Sequence, residues 1–300
     1  MHEHSASWSS SICRKATGLR RLAPALGMCA ALVACGNSAP VVRLATTTSV
    51  ENSGLLAAIV PSFEREQSVD VEVLPVGSGR ALELLRRDDA AAALTHDPAA
   101  EASALAAGVI ARYRKIMFND FLVVGPASDP AGISDASDAA DALRSIATAG
   151  AMFASRGDAS GTHSRERELW RLAGTKPDAE RLLETGQGMA ATLRIASERM
   201  AYTLTDRATY EQFQSDLRLV PLHEGGPALL NTYAVFVRAD LTGAGREQAD
   251  ALVDWLADGA GRDLIAGFRV DGRPVFTVWP PTMPRERPSD LPVIDVANAR

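Results

Sequence analysis

The chain has 300 residues, 46% of them hydrophobic and 23% charged, with 31 basic residues against 37 acidic ones and a net charge of −6. That length allows two domains and a sizeable core. The acidic balance argues against nucleic acid as a partner, since phosphate backbones are held by clustered Lys and Arg. It does not bear on a small anion, which responds to its local site because surface charge is screened beyond about 8–10 Å.

Arg14, Lys15, Arg20 and Arg21 precede an apolar run from Leu22 to Ala34. The run is too short to span a bilayer as a helix and reads as the core of a targeting segment. It ends in Leu32-Val33-Ala34-Cys35-Gly36, which resembles the bacterial lipoprotein box. Residues 1–34 are therefore expected to be a signal peptide, Cys35 the lipidated new N-terminus, and residues 35–40 a tether. An ordinary secretory signal cleaved nearby is the alternative. Four basic residues and Glu3 would leave with the signal, so the remainder is more acidic still. Of the three cysteines, Cys13 and Cys29 would leave and Cys35 would be acylated. The mature fold would then have no disulfide, Cys–zinc site or cysteine nucleophile, and would depend on core packing.

Val41 to Ala45 reads as a first strand, followed by Thr46-Thr47-Thr48-Ser49 and a helix from about Ser53. Leu55, Leu56, Ile59, Val60 and Phe63 fall at helical spacing, and Pro61 should kink that helix or shift its start. Asp70 to Val76 reads as a second strand, Gly77-Ser78-Gly79 as a turn before another helix, and Ala90 to Leu94 as a weak third strand. This β-α-β-α-β rhythm predicts a parallel sheet with helices on its faces, and ligands in such sheets sit beyond the carboxyl ends of the strands.

Lys115 to Pro126 is a long strand interrupted by Asn119-Asp120 and suited to crossing between lobes. A second α/β run follows: a helix near Ser137 to Thr148, a strand at Ala151, helices through Leu169, Leu182 and Leu193, and short strands at Ala201 to Asp206 and Leu217 to Leu222. Leu230 to Val237 reads as the return crossing. Helices are expected over Gly245 to Asp258 and Arg262 to Phe268, and a Pro-rich irregular tail after Trp279.

The stretch Ser155-Arg156-Gly157-Asp158-Ala159-Ser160-Gly161-Thr162-His163 joins a short apolar strand to a helix start. The first N–H groups of a helix lack partners and carry partial positive charge. Ser160 and Thr162 add hydroxyl donors, Gly161 permits close approach, and Arg156 supplies a forked cation suited to an oxyanion. A plain N-cap is the simpler reading of Ser-Gly-Thr. A Ser160/His163 nucleophile pair lacks a Gly-x-Ser-x-Gly elbow and an evident third partner. His96, His163 and His223 do not have metal-ligand spacing, and surface or capping roles are expected of each.

Several stretches, in this order and spacing, resemble the tungstate-binding proteins of bacterial ABC transporters. They are Ala45-Thr46-Thr47-Thr48-Ser49; Val76-Gly77-Ser78-Gly79 with Ala81-Leu82; His96-Asp97-Pro98; Met117 to Phe121 with Val124-Gly125-Pro126 and Asp129 to Ile133; Ser155 to His163 with Leu169-Trp170; Ala191 to Glu198; and Tyr202 to Arg207 with Tyr210. The segment Arg156…Ser160-Gly161-Thr162 also resembles the anion loop of phosphate-binding proteins.

The resemblance implies an α/β, two-lobed periplasmic-binding-protein fold of the second type, each lobe a mostly parallel sheet flanked by helices. Residues 41–120 and 233–300 would form lobe 1, and residues 121–232 lobe 2. It implies no enzymatic activity and no cofactor. A tetrahedral oxyanion, tungstate first, would be captured between the lobes and delivered to an ABC permease by a lipid-anchored monomer on the outer side of the cytoplasmic membrane.

Carried over residue by residue, the resemblance makes Thr47, Thr48, Ser78, Arg156, Ser160, Gly161 and Thr162 the expected ligand donors, with Arg156 as counter-ion. Thr205 and Arg80 are weaker candidates: packing or capping suits Thr205, and a solvent-exposed helix position suits Arg80. The family often has Gln where Arg80 stands and Thr where Ser78 stands, which leaves the choice of oxyanion open. A molybdate- or phosphate-type ligand, or a sensor lipoprotein of the same fold, is the alternative. Phosphate would benefit from an acceptor in its site, and Asp97 is the first-lobe candidate, although Pro98 after it suggests a turn or a helix start instead. The competing class is a hydrolase using Ser160, for which no base and orienter can be placed.

Overall fold

The computed structural model describes residues 39–292. The expected signal peptide and Cys35 lie outside the described residues. Elements follow in chain order as β1 (Val41–Thr47), α1 (Thr48–Asn52), α2 (Leu55–Gln67), β2 (Asp70–Val76), α3 (Ser78–Arg86), β3 (Ala92–Thr95), α4 (Pro98–Ala106) and β4 (Ile110–Pro126). The second run contains α5 (Ala139–Thr148), β5 (Phe153–Ser155), α6 (Gly161–Ala173), β6 (Leu182–Glu184), α7 (Met189–Arg199), β7 (Tyr202–Asp206), α8 (Arg207–Phe213) and β8 (Leu219–Glu224). The chain returns through β9 (Leu230–Arg238), α9 (Gly243–Ala257) and α10 (Ala260–Gly267).

The order β2-β1-β3-β9-β4-β7-β5-β6 describes two α/β lobes that share one strand. In the first lobe β2, β1 and β3 run parallel, and β9 and β4 close the sheet antiparallel. In the second, β6, β5 and β7 run parallel, with β4 and β8 antiparallel. β4 pairs with β9 from Ile110 to Asp120 and with β7 and β8 from Phe121 to Pro126. The polar pair Asn119-Asp120 therefore stands where the strand changes lobes. Each lobe buries apolar side chains on both faces of its sheet: Leu44, Val235 and Leu252 on one face of the first and Phe236 and Leu82 on the other; Phe153 and Leu143 on one face of the second and Leu122 and Leu193 on the other.

Two expectations need correcting, while the helix expected from about Ser53 is α2, which starts at Leu55 after left-handed Gly54 (φ +78°) and is preceded by the separate short helix α1 ending at Asn52. Pro61 does not set the start of α2, which lies at Leu55, and the helix runs on past it to Gln67. Its ring is exposed, so the carbonyl left without an N–H partner faces solvent. Leu182 lies in a strand, paired with Phe153, because the edge of the β5 sheet offers it a ladder that its local sequence does not announce. The tail beyond Trp279 contains no helix or strand through residue 292.

Candidate functional site

Short loops between the strand ends and the following helices meet on one seam between the lobes. Thr47 caps α1, its Oγ1 accepting the Val50 N–H at 3.3 Å. Asp206 caps α8 through the Thr209 N–H at 2.9 Å. Ser160 caps α6, accepting the His163 N–H at 3.2 Å. Helices α3 and α7 instead follow glycines, Gly77 and Gly188, which offer no side-chain cap. Their first-turn N–H groups are left for another acceptor.

The anion loop is bent by two left-handed residues, Gly157 (φ +59°) and Ala159 (φ +55°). Ala159 has a Cβ, so this conformation costs roughly 1–2 kcal/mol and is held by its neighbours. Asp158 Oδ1 accepts the Ser160 N–H at 3.1 Å, and His163 Nδ1 accepts the Ala159 N–H at 3.0 Å. His163 therefore closes the loop, the capping role expected of it.

Arg156 is 2% exposed. Its guanidinium forms an ion pair with Asp158, and Nε donates to the Gln187 carbonyl at 3.3 Å. Behind the loop, Glu166 is buried on α6, and burial pushes its carboxyl up to about 7.

Among the described residues three buried hydroxyls have no hydrogen-bond partner: Ser49 Oγ, Ser78 Oγ and Thr162 Oγ1. A buried unpaired hydroxyl costs about 1–3 kcal/mol, so each of these is a donor open to a further acceptor. Gly161 brings the lobes together there. A Cβ on it would stand 3.1 Å from Ser78 Oγ and 3.1 Å from the His96 carbonyl. A Cβ on Gly188 would lie 3.8 Å from Thr48 Oγ1. Ser78 of the first lobe thus meets Gly161 of the second, with Ser160 and Thr162 flanking Gly161 in sequence, while Thr48 approaches the start of α7.

The remaining expected residues are placed differently. Thr47 uses its hydroxyl oxygen as a cap and keeps its proton to donate. Thr205 is fully buried, and its hydroxyl donates to the Asp206 carbonyl at 3.2 Å. Arg80 is exposed on α3. Ser49 is not among the donors expected from sequence, although it closes the hydroxyl-rich run after β1. Its neighbours Thr47 and Thr48 carry the same donor group, so type alone does not say which is left unpaired.

His96 departs from the surface or capping role expected of it. It is 3% exposed and stacks on Tyr233 with ring centroids 5.0 Å apart. Burial lowers its pKa and outweighs the opposing influence of Asp206, while Arg156 reinforces the lowering. Asn231 gives both amide hydrogens to Asn119 Oδ1 and Tyr233 Oη, so its Oδ1 accepts from His96 Nδ1, 2.9 Å away. Asp97 is also committed: Oδ1 accepts the Ala100 N–H at 3.1 Å and Oδ2 accepts the Ser164 hydroxyl at 2.9 Å. His96, Asp97, Phe121, Gly161, Ser164 and Arg165 line a cavity of 290 Å³ along this seam. Among the described residues no group of three or more His, Cys, Asp or Glu could hold a metal ion.

The geometry is rich in donors: hydroxyls, uncapped helix N–H groups and one buried guanidinium. Such a site suits an anion that accepts hydrogen bonds and donates none.

Comparison with known proteins agrees with this chemistry. The profile of the PBP superfamily domain matches residues 36–259. The tungstate-binding protein TupA of Peptoclostridium acidaminophilum is 37% identical over 240 residues, covering 78% of this chain and 84% of its own. The crystal structure of the tungstate ABC transporter from Geobacter sulfurreducens superposes with a TM-score of 0.70 at 39% identity, covering 76% of this chain and 98% of its own. Tungstate-binding protein TupA from Desulfovibrio alaskensis G20 gives a TM-score of 0.68 at 36% identity, with 80% and 99% covered.

Proposed function

Because the chain belongs to the PBP superfamily and, within it, to the family of tungstate-binding proteins of ABC transporters, we propose that it captures a tetrahedral oxyanion, tungstate first, between its lobes and delivers it to a membrane permease. The observation that carries this reading is the set of buried, unpartnered hydroxyls at the seam, with Ser78 Oγ beside Gly161 and Thr162 Oγ1 next along the chain. Ser78 and Thr48 donate from the first lobe, and Ser160, Gly161 and Thr162 from the second. Thr47 contributes its hydroxyl proton, and Arg156 balances charge from the base of its loop. Ser49 joins this set as a further donor.

Nanomolar capture takes about 12 kcal/mol. Some six hydrogen bonds to a charged ligand, at roughly 1.5–3 kcal/mol each, supply it with a margin for closing the lobes. The protein acts by binding and not by catalysis. It works as a monomer on the outer side of the cytoplasmic membrane, anchored through a lipid on Cys35. Its lobes divide as residues 41–120 with 233–300 and residues 121–232.

Calorimetric titration of the purified protein with tungstate, molybdate, sulfate and phosphate tests the reading. Tight tungstate binding with much weaker molybdate is the expected result. Equal binding of the two would widen the ligand class, and no heat with any of the four would overturn the proposal.

A further inference from the structure

The Ser164 hydroxyl crosses the seam outside the set of donors assigned to the oxyanion. Ser164 lies in the first turn of α6, in the second lobe, and donates to Asp97 Oδ2 of the first lobe at 2.9 Å. Asp97 is 6% exposed, and its other oxygen caps α4 by accepting the Ala100 N–H at 3.1 Å. The acceptor is therefore fixed in place by the helix that it caps, and the donor by the helix that begins at the anion loop. Two helix starts on opposite lobes are tied by one short bond to a carboxylate.

Ion pairs made by α8, Arg207 to Asp120 at 2.7 Å and Glu211 to Arg273 at 3.0 Å, also join the lobes, whereas beside the anion loop Gly161 meets Ser78 and His96 by close approach. The Asp97–Ser164 bond is thus the short, charge-assisted link at this edge of the cleft.

We propose that Asp97 and Ser164 form a closure latch: a positioning pair that touches no ligand atom, favours the closed arrangement of the lobes with or without the oxyanion, and sets how slowly the ligand leaves. The same bond keeps both oxygens of Asp97 occupied, so that the carboxylate offers no free acceptor edge to the cleft. The latch rests on the oxyanion-binding reading, because its role is to retain that ligand.

The test compares the wild-type protein with Ser164→Ala and Ser164→Thr. Ser164→Ala removes the donor and leaves the α4 cap untouched, whereas a change at Asp97 would also cost the helix its cap. Tungstate dissociation is followed by rapid-mixing chase with excess unlabelled ligand, and the spread of the lobes by small-angle scattering without ligand and with tungstate. Loss of a hydrogen bond to a charged group is expected to speed dissociation about tenfold to hundredfold. It should also raise the radius of gyration of Ser164→Ala relative to wild type, and Ser164→Thr, which keeps a hydroxyl, should restore both. Dissociation from Ser164→Ala at the wild-type rate would overturn the latch. If the wild type binds no tungstate, the oxyanion reading fails separately, and the unliganded scattering decides the latch: a more open Ser164→Ala supports it, and identical curves overturn it.

Discussion

Asn119 and Asn231 stand directly opposite each other where the chain passes between the lobes, and Asn231 Nδ2 donates to Asn119 Oδ1 at 2.9 Å. The pair is tied outward as well, to His96 beneath the anion loop, to Tyr233, and through Asn119 Nδ2 to the Val275 carbonyl at 3.2 Å. The floor of the seam and the crossing strands therefore share one buried polar network. Such a network is stable when every member is satisfied and costly when one is removed.

Asn231→Leu leaves the His96 Nδ1–H and Asn119 Oδ1 buried without their partner. At about 1–3 kcal/mol for each unsatisfied group, the substitution is expected to destabilise the protein by about 2–4 kcal/mol. Urea denaturation checks this: the midpoint should fall while the slope stays that of the wild type. An unchanged midpoint would mean that the network adds no net stability.

The Arg156–Asp158 pair predicts opposite signs for stability and binding. Asp158→Asn strands a buried guanidinium, which is expected to cost the unliganded protein about 2–3 kcal/mol, below the value for a fully buried pair because the Asp158 side chain keeps 20% exposure. The same change removes a carboxylate that competes with the ligand for Arg156. Thermal melts should therefore show a lower unliganded midpoint and a larger upward shift on adding tungstate. A smaller shift would contradict the role of Arg156 as counter-ion.

Gly161→Ala puts a methyl group 3.1 Å from both Ser78 Oγ and the His96 carbonyl. Relief requires the lobes to part by a few tenths of an ångström. Crowding of this kind typically costs 1–3 kcal/mol, here charged against closure, so tungstate affinity should fall about tenfold to hundredfold. Gly161 does not have a positive φ, so the unliganded melting temperature should hardly move. Calorimetry and melting together separate the two effects.

Lys115 is completely buried, donating to Thr232 Oγ1 at 3.0 Å and to the Pro288 carbonyl of the C-terminal tail at 2.8 Å. Burial lowers its pKa from 10.5 to about 8, with Glu101 and Asp290 opposing the shift. Between those two pH values the unfolded chain binds more protons than the folded one, so stability rises as pH increases from about 8 to 10.5. The rise is at most about 3 kcal/mol. Lys115→Met should lose this slope. Urea midpoints at pH 7.5, 9 and 10.5 for the two proteins test it, and parallel curves would refute it.

Local sequence carried much of this protein. The alternation of β1 and β2, the helical spacing in α2 and α9, and the small hydroxyl residues after β1, β2 and β5 depend on neighbours a few residues apart. That is the range over which periodicity and turn chemistry act. Those signals placed donor-bearing loops at the ends of parallel strands.

Tertiary structure decided which of the donors are left unpaired. Ser78 and Gly161 are 83 positions apart and meet only because β4 passes from one lobe to the other. His96 is buried because β9 brings Asn231 and Tyr233 beneath it, and Asp97 gains its second partner from α6. Leu182 is a strand because Phe153 waits at an open sheet edge. Each of these outcomes depends on a partner distant in the chain, and the free energy that selects it comes from burial and long-range hydrogen bonding that no short stretch contains.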